Sequence, residues 1–93
     1  MFIGLLTLEI LIHDAHSLKE KRTVVNSLLD RLRSRFNISA AQIDDHDLWQ
    51  RATLAVVVVS NDKAVANTVL NHARDFAEND DRCDVAECRM EIL

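Results

Sequence analysis

The sequence contains few of the residues that interrupt regular secondary structure. It has one glycine and no proline among its 93 residues. Because these two residues form most tight turns, their scarcity excludes long irregular loops, and helices and strands must fill most of the chain. Aromatic residues are also rare, at 4%, and tyrosine is absent. A sheet built from this chain therefore lacks the paired central aromatic side chains on which RRM-type domains stack RNA bases.

Segments that would direct the chain into or across a membrane are missing. Residues 1–12 are largely apolar, but no basic segment precedes them, and Thr7 and Glu9 interrupt the run. This pattern indicates a strand and not a signal peptide. No stretch has the length of a membrane span. We therefore expect no membrane contact and a cytoplasmic location.

Cysteine is limited to Cys83 and Cys88, which lie five positions apart in a predicted strand. An odd spacing places two side chains on opposite faces of a strand, so these thiols cannot readily bond to each other or share a metal ion. We expect both to be free and at least partly buried, as suits a reducing compartment.

Groups of residues that carry out catalysis are also missing. The single glycine excludes a glycine-rich phosphate-binding loop. No serine–histidine–aspartate or cysteine–histidine combination lies in a recognisable turn. The many carboxylates fall in loops and on exposed faces, where charged residues belong in any protein. We therefore predict that the protein is not an enzyme, has no catalytic residues and needs no cofactor.

Six segments of regular structure are present, and their total length predicts one domain over residues 1–93. Apolar alternation and apolar runs predict four strands, over residues 2–12, 38–43, 52–59 and 83–93. Apolar positions at helical spacing predict one helix from Ser17 to about Phe36 and a second that ends near Glu78.

The helices carry signals for their ends and for their buried sides. Ser17 and Glu20 form a capping box, in which each side chain accepts a hydrogen bond from the backbone N–H of the other. Asn37 can end this helix in the left-handed conformation. The inward side of the second helix is predicted to consist of Val65, Val69, Ala73, Phe76 and Ala77. Both helices are therefore expected to pack one side against a sheet.

The order β-α-β-β-α-β predicts an α+β ferredoxin-like sandwich. In this fold a four-stranded antiparallel sheet, of order 4-1-3-2, carries both helices on one face. Strands 1 and 3 are then central. They are also the two segments that are most apolar on both faces, which is the pattern of strands that are covered on both sides.

Four segments of the chain form a recognisable set: residues 17–22 (SLKEKR), 28–33 (LLDRLR), 47–54 (DLWQRATL) and 59–62 (VSND). Together they resemble the YlxP-like family of small, largely uncharacterised bacterial proteins. The resemblance covers nearly the whole chain and implies a ferredoxin-like fold. Genes of this family often lie beside genes for translation and ribosome maturation, which implies association with RNA or the ribosome. Members often have a Pro-Gly turn before the first helix, where this chain has Asp14-Ala15-His16.

Positive charge is concentrated in the first helix. Residues 17–36 hold six basic and two acidic residues, a net charge of +4, whereas the rest of the chain holds five basic and thirteen acidic residues, a net charge of −8. Together with the resemblance, this helix predicts a non-catalytic RNA- or ribosome-associated binding protein. The predicted phosphate contacts are Lys19, Lys21, Arg22 and Arg33. The alternative is that these side chains only cover apolar surface with their stems.

Two other functions are compatible with the sequence, a homo-oligomeric adaptor between proteins and a small-molecule sensor. Trp49 and Arg51 are predicted to anchor a partner, because tryptophan and arginine are enriched at interface hot spots. The alternative for Trp49 is to close one end of the core. His13, His16 and His46 follow strands 1 and 2 and could meet around a divalent ion. Polar loop residues are more often only solvated, so we predict no metal site.

The face of the sheet away from the helices predicts self-association. It offers Ile3, Leu5 and Leu11 of strand 1 and one apolar side of strand 3. The predicted rim consists of Thr7, Glu9, Glu87, Arg89 and Glu91. An uncovered apolar face of this kind exceeds what monomers usually expose. We therefore expect a homodimer or larger assembly, formed through the open sheet face or through edge strands.

Overall fold

The computed structural model describes residues 1–93 and contains the six predicted elements in the predicted order. They are β1 (Phe2–Ile12), α1 (Leu18–Arg35), β2 (Ser39–Asp44), β3 (Arg51–Ser60), α2 (Lys63–Glu78) and β4 (Cys83–Ile92). The strands form one antiparallel sheet in the order β2-β3-β1-β4, and both helices pack on the same face. The predicted ferredoxin-like topology is therefore confirmed. Neither helix combines the length and the hydrophobicity that a membrane crossing requires.

Strict alternation along β1 separates the two faces of the sheet. Leu6, Leu8 and Ile10 are fully buried beneath the helices, while the odd-numbered residues between them are only half-buried. β3 contributes Leu54 and Val56 to the same buried side. Nineteen buried residues from the sheet and both helices form one core. The two central strands therefore supply the surface on which α1 and α2 pack.

The only glycine allows α2 to approach β1 closely. A Cβ atom on Gly4 would lie 2.8 Å from Leu70 Cδ1 and 2.9 Å from Val58 Cγ1, both too close for real contacts. Leu70 is fully buried over this position. Any larger residue at Gly4 would therefore force the side chains of Leu70 and Val58 to shift.

The start of α1 follows the prediction, but its end does not. Ser17 Oγ accepts the backbone N–H of Glu20 at 3.1 Å, as predicted. The Glu20 carboxylate turns to the N–H of His16 at 2.6 Å, one residue before the predicted partner. Phe36 ends the helix in an extended conformation, with φ −125°, and Asn37 is not left-handed. The left-handed ending was wrong because the Phe36 ring packs edge-on against Phe76 and the chain runs directly towards β2.

The buried side of α2 is rotated from the predicted one. Ala73 and Ala77 are buried as predicted, but Val65 is 50% exposed. Ala66 and Leu70 lie on the core side in its place. The prediction was wrong for Val65 because the close approach over Gly4 selects the stripe that contains Leu70 and a small residue one turn earlier.

A β-bulge in β4 changes which side its residues face. Glu9 of β1 pairs with Glu87, but Ile10 pairs with Val85, so Ala86 is an extra residue. The alternation therefore reverses at this point. Cys83 pairs with Ile12 and Cys88 with Leu8, and both partners are core residues. The prediction that the two cysteines lie on opposite faces was wrong, because a period of two cannot be carried across a bulge.

The two cysteines are free, and they differ in their surroundings. Cys83 is buried and Cys88 is exposed. Burial raises the pKa of the Cys83 thiol to about 11. This thiol therefore remains protonated and unreactive at neutral pH, while that of Cys88 is accessible.

Candidate functional site

The connections that carry most of the predicted site residues gather at one end of the molecule, here called the loop end. β1 and β2 finish there and β3 and β4 begin there, because β1 and β2 run opposite to β3 and β4. The loop end thus combines residues 13–17, residues 45–50, residues 79–82 and the first turns of α1. Gln50 Nε2 donates to the Ala15 carbonyl at 3.3 Å and joins two of these connections.

Lys21 is not available to a ligand. Its side chain is only 1% exposed, and its ammonium group donates a hydrogen bond to the backbone carbonyl of Asp45. Burial lowers the pKa of Lys21, and the nearby Asp45 charge partly opposes this. The prediction of a phosphate contact was wrong here. The sequence held a signal, because Lys21 lies four residues before Val25 and seven before Leu28, on the buried side of α1.

Arg33 has partners within the protein. One guanidinium nitrogen donates to the Ala40 carbonyl of β2 at 2.6 Å, and another pairs with Asp30 at 3.1 Å. The geometry therefore gives Arg33 a role in holding α1 against β2. We do not count it among the phosphate contacts proposed below.

Lys19 and Arg22 remain exposed and have no ion-pair partner. They lie three residues apart in the first turns of α1, so they project from the same side of the helix. Of the four predicted phosphate contacts, these two are both exposed and free of ion-pair partners within the protein.

Trp49 lies on the surface of the loop end. Its exposed fraction is 55%, and the preceding Leu48 is 48% exposed. The alternative in which Trp49 closes the core is therefore wrong. An open depression of about 330 Å³ lies at the same end, lined by Leu11, Ile12, His13, Asp14 and Gln50. An indole that is more than half exposed is available to bind a partner.

Arg51 is tied into a network that centres on Asp45. Its guanidinium pairs with Glu9 at 2.8 Å and with the Asp45 carboxylate at 3.5 Å. Thr53 Oγ1 donates to the same carboxylate at 2.8 Å. Asp45 also adopts φ 65°, a left-handed conformation. In the sequence, Asp45 is only one of several polar residues after β2 that could meet around a divalent ion. Its role in this network could have been suspected, because aspartate tolerates a left-handed conformation better than most residues and lies where β2 must turn.

Polar side chains cross the middle of the open sheet face. Glu9 and Glu87 are directly opposite each other on β1 and β4. The hydrogen bond from Glu87, followed by that from Arg51, lowers the pKa of Glu9, and the contact with Glu9 raises the pKa of Glu87. The two carboxyl groups therefore share a proton more readily than isolated ones.

This polar band divides the apolar surface of the open face. Ile3, Leu5 and Val59 lie towards the end opposite the loop end, where Val59 is 63% exposed. Leu11 lies on the other side of the band and is 41% exposed. The prediction of an apolar face with a polar rim was wrong in this respect, because Glu9 belongs to a central strand.

The predicted histidine positions do not converge. His13 Nε2 lies 3.0 Å from a carboxylate oxygen of Asp84, and both side chains are exposed. No three histidine, cysteine, aspartate or glutamate side chains are close enough together to hold a metal ion. His13, His16 and His46 therefore form no common site.

Asp80 is a second residue that sequence analysis missed. Its carboxylate is buried and accepts hydrogen bonds from the side chains of Arg31 and Arg82 and from the backbone N–H of Arg82. Burial alone would raise its pKa, but these bonds outweigh burial and lower the pKa to about 2. The cluster connects α1 to the turn before β4 and therefore has a structural role.

Comparison with known proteins identifies the family. The profile of the family described as "Protein of unknown function (DUF503)" matches residues 3–90. The chain belongs to this family. The DUF503 chain is also 35% identical, over 77 residues, to the "Uncharacterized protein YlxP" of Bacillus subtilis (strain 168), and the match covers 83% of this chain and 84% of that protein. The predicted YlxP-like resemblance is therefore confirmed.

A structural comparison supports the fold of the DUF503 chain. A de novo designed protein with ferredoxin fold, determined by solution NMR, aligns with a TM-score of 0.55 over 99% of this chain and 85% of the designed chain. At 11% sequence identity, this likeness concerns the fold alone.

Proposed function

We propose that this protein binds RNA, either free or within the ribosome, through its loop end and without catalysing a reaction. The observation that carries the proposal is the exposed indole of Trp49 at the same end as two unpaired cations, Lys19 and Arg22. Proteins bind unpaired RNA by stacking bases on aromatic side chains and by placing cations on phosphates. A cytoplasmic location is part of this proposal.

The charge distribution supports binding that is oriented and limited in extent. The chain carries a net charge of −4, and the acidic residues lie mainly outside α1. Negative charge repels nucleic acid from the rest of the surface, so contacts concentrate at Lys19 and Arg22. With two cations the electrostatic part of binding is small, and stacking on Trp49 supplies the remainder.

The single tryptophan makes the proposal directly measurable. Because the chain has one Trp and no Tyr, its intrinsic fluorescence reports on Trp49. We expect a single-stranded RNA oligonucleotide, and purified ribosomal subunits, to quench this fluorescence at low salt. Lys19→Ala/Arg22→Ala should weaken binding and reduce the salt dependence by about one unit for each lost phosphate contact. Trp49→Ala, measured by filter binding, should weaken it by about tenfold or more.

Lys63→Ala is the matched control, since Lys63 is an exposed lysine in α2 at the opposite end of the molecule. It should bind RNA like the wild type. An absence of quenching and of RNA retention at the lowest salt, where electrostatic attraction is strongest, would end the proposal. Partners recovered through Trp49 that are proteins, and that survive RNase and high salt, would favour the adaptor function.

A further inference from the structure

The outer edge of β4 is a long row of unpaired backbone groups. β4 has ten residues and pairs only with β1. Ile3 and Leu93 exchange both backbone hydrogen bonds, at 3.1 and 2.7 Å. Antiparallel strands alternate between bonded and non-bonded pairs, so after the bulge the odd-numbered residues of β4 bond to β1. The N–H and C=O groups of Cys88, Met90 and Ile92 therefore point to the free edge.

No other part of the chain covers this row. None of the backbone hydrogen bonds outside the regular elements involves residues 84–92, and none of the side-chain hydrogen bonds ends on a backbone group of these residues. An exposed edge of this length is a template for another strand.

The charges along β4 favour a second copy of the same strand. On the open face of the sheet, Glu87, Arg89 and Glu91 alternate in sign. In a symmetric antiparallel pairing, a two-fold axis at an odd-numbered residue would place like charges opposite each other. An axis at Cys88 or Met90 places Arg89 opposite a glutamate of the second copy. Edge charges of a single sign would repel a copy, but these attract one.

We propose that two copies of this protein join β4 to β4 with the two-fold axis at Met90, so that one eight-stranded sheet runs through the dimer. Arg89 of each copy then lies opposite Glu91 of the other, and Cys88 lies opposite Ile92. About six backbone hydrogen bonds join the two β4 strands along this seam between the copies.

The bulge and the apolar residues select Met90 over Cys88 as the axis. A seam centred on Cys88 would cross the bulge next to Ala86, where the strand is bent. A seam centred on Met90 uses only the regular segment after it. The exposed Cys88 and the half-buried Met90 and Ile92 of both copies then form one apolar strip on the helix side.

A charge exchange tests both the dimer and its register by sedimentation equilibrium. Arg89→Glu places like charges opposite each other at two sites and should raise the dissociation constant by about tenfold or more. Arg89→Glu/Glu91→Arg should restore wild-type association, because the two charges face each other in this register. Under a Cys88-centred seam, the double variant would oppose Glu87 to a glutamate and would stay dissociated. A wild type that is monomeric at every concentration would overturn the proposal.

Oxidative cross-linking provides an independent test. Met90→Cys/Cys88→Ser brings two thiols together at the axis, at a Cα separation of about 5.5 Å, which a disulfide can span. We expect a disulfide-linked dimer in this variant and none in the wild type, where the Cys88 thiols are separated along the seam and Cys83 is buried. Circular dichroism confirms folding before oxidation. Cross-linking of the wild type through Cys88, or failure of the folded variant to cross-link, would contradict the Met90 register.

Discussion

The two edge strands of the sheet, β2 and β4, differ in how far other parts of the molecule bind their outer backbone groups. β2 has six residues, a bulge before Asp44 and the guanidinium of Arg33 on its Ala40 carbonyl. β4 has ten residues, and no side chain reaches its outer backbone groups. The difference follows from the helices, because α1 packs beside β2 and supplies long basic side chains, whereas the core side of α2 consists largely of alanine. Part of the positive charge of α1 therefore protects an edge instead of serving a ligand.

Each edge strand is also fastened at the loop end, by different chemistry. Lys21 reaches the Asp45 carbonyl at the end of β2, with its stem buried in the core. The turn before β4 is held by the buried carboxylate of Asp80 and the guanidinium groups of Arg31 and Arg82. At β2 a buried cation donates to a neutral acceptor, whereas before β4 a buried anion lies between two cations. Three substitutions test this comparison.

The largest expected effect belongs to Lys21, which holds the end of β2. Lys21→Ala should lower the free energy of unfolding by about 3 kcal/mol, because it leaves a cavity where a long side chain was buried. Lys21→Met keeps most of the stem and should cost only about 1 kcal/mol, for the lost hydrogen bond. Urea unfolding measures both values. Lys19→Ala, at an exposed position of the same turn, should leave stability unchanged. If Lys21→Ala behaved like Lys19→Ala, the side chain could not be part of the core.

The contribution of Asp80, before β4, to the free energy of unfolding should depend on pH. The pKa of Asp80 is about 2 in the folded protein against a usual 3.8. Such a shift corresponds to about 2 kcal/mol of stability, fully present above pH 4 and lost as the pH falls through the folded pKa. Asp80→Asn should therefore have a free energy of unfolding about 2 kcal/mol lower than that of the wild type at neutral pH, as measured by urea unfolding.

The wild type and Asp80→Asn should approach equal stability near pH 2, where the carboxylate of the wild type becomes protonated. Asp81→Asn is the matched control, because Asp81 is exposed in the same turn. A stability difference between wild type and Asp80→Asn that persists unchanged near pH 2 would show that the carboxylate charge is not the cause.

The smallest expected effect concerns the protection of the β2 edge. Arg33→Ala removes the hydrogen bond to the Ala40 carbonyl and should lower the free energy of local opening of β2 by about 1 kcal/mol. Amide hydrogen exchange of β2 should accelerate by about fivefold, since an edge strand opens locally. The amides of β4 should be unaffected, as should those of both strands in Arg22→Ala. Equal acceleration in β2 and β4 would mean that Arg33 stabilises the whole fold and does not specifically protect this edge.

The candidate site was predictable only in part, for reasons that individual residues illustrate. Lys19, Arg22 and Trp49, which were predicted as contacts, are exposed at the loop end. Lys21 and Arg33 looked equivalent to them by charge, but one falls within the apolar stripe of α1 and the other meets a strand that is adjacent only in space. Charge is visible along a sequence, whereas the partner of each charge is set by packing.

Local patterns along the chain are sufficient to predict the order of the elements, the topology of the sheet and the separation of its two faces. These features follow from local apolar periodicity and from the small number of ways in which six such elements can bury their apolar sides. Other features become visible only in the folded protein: the bulge in β4, the rotation of α2 over Gly4 and the clusters around Asp45 and Asp80. Each of these depends on contacts between residues that are distant in the chain, which no local pattern encodes.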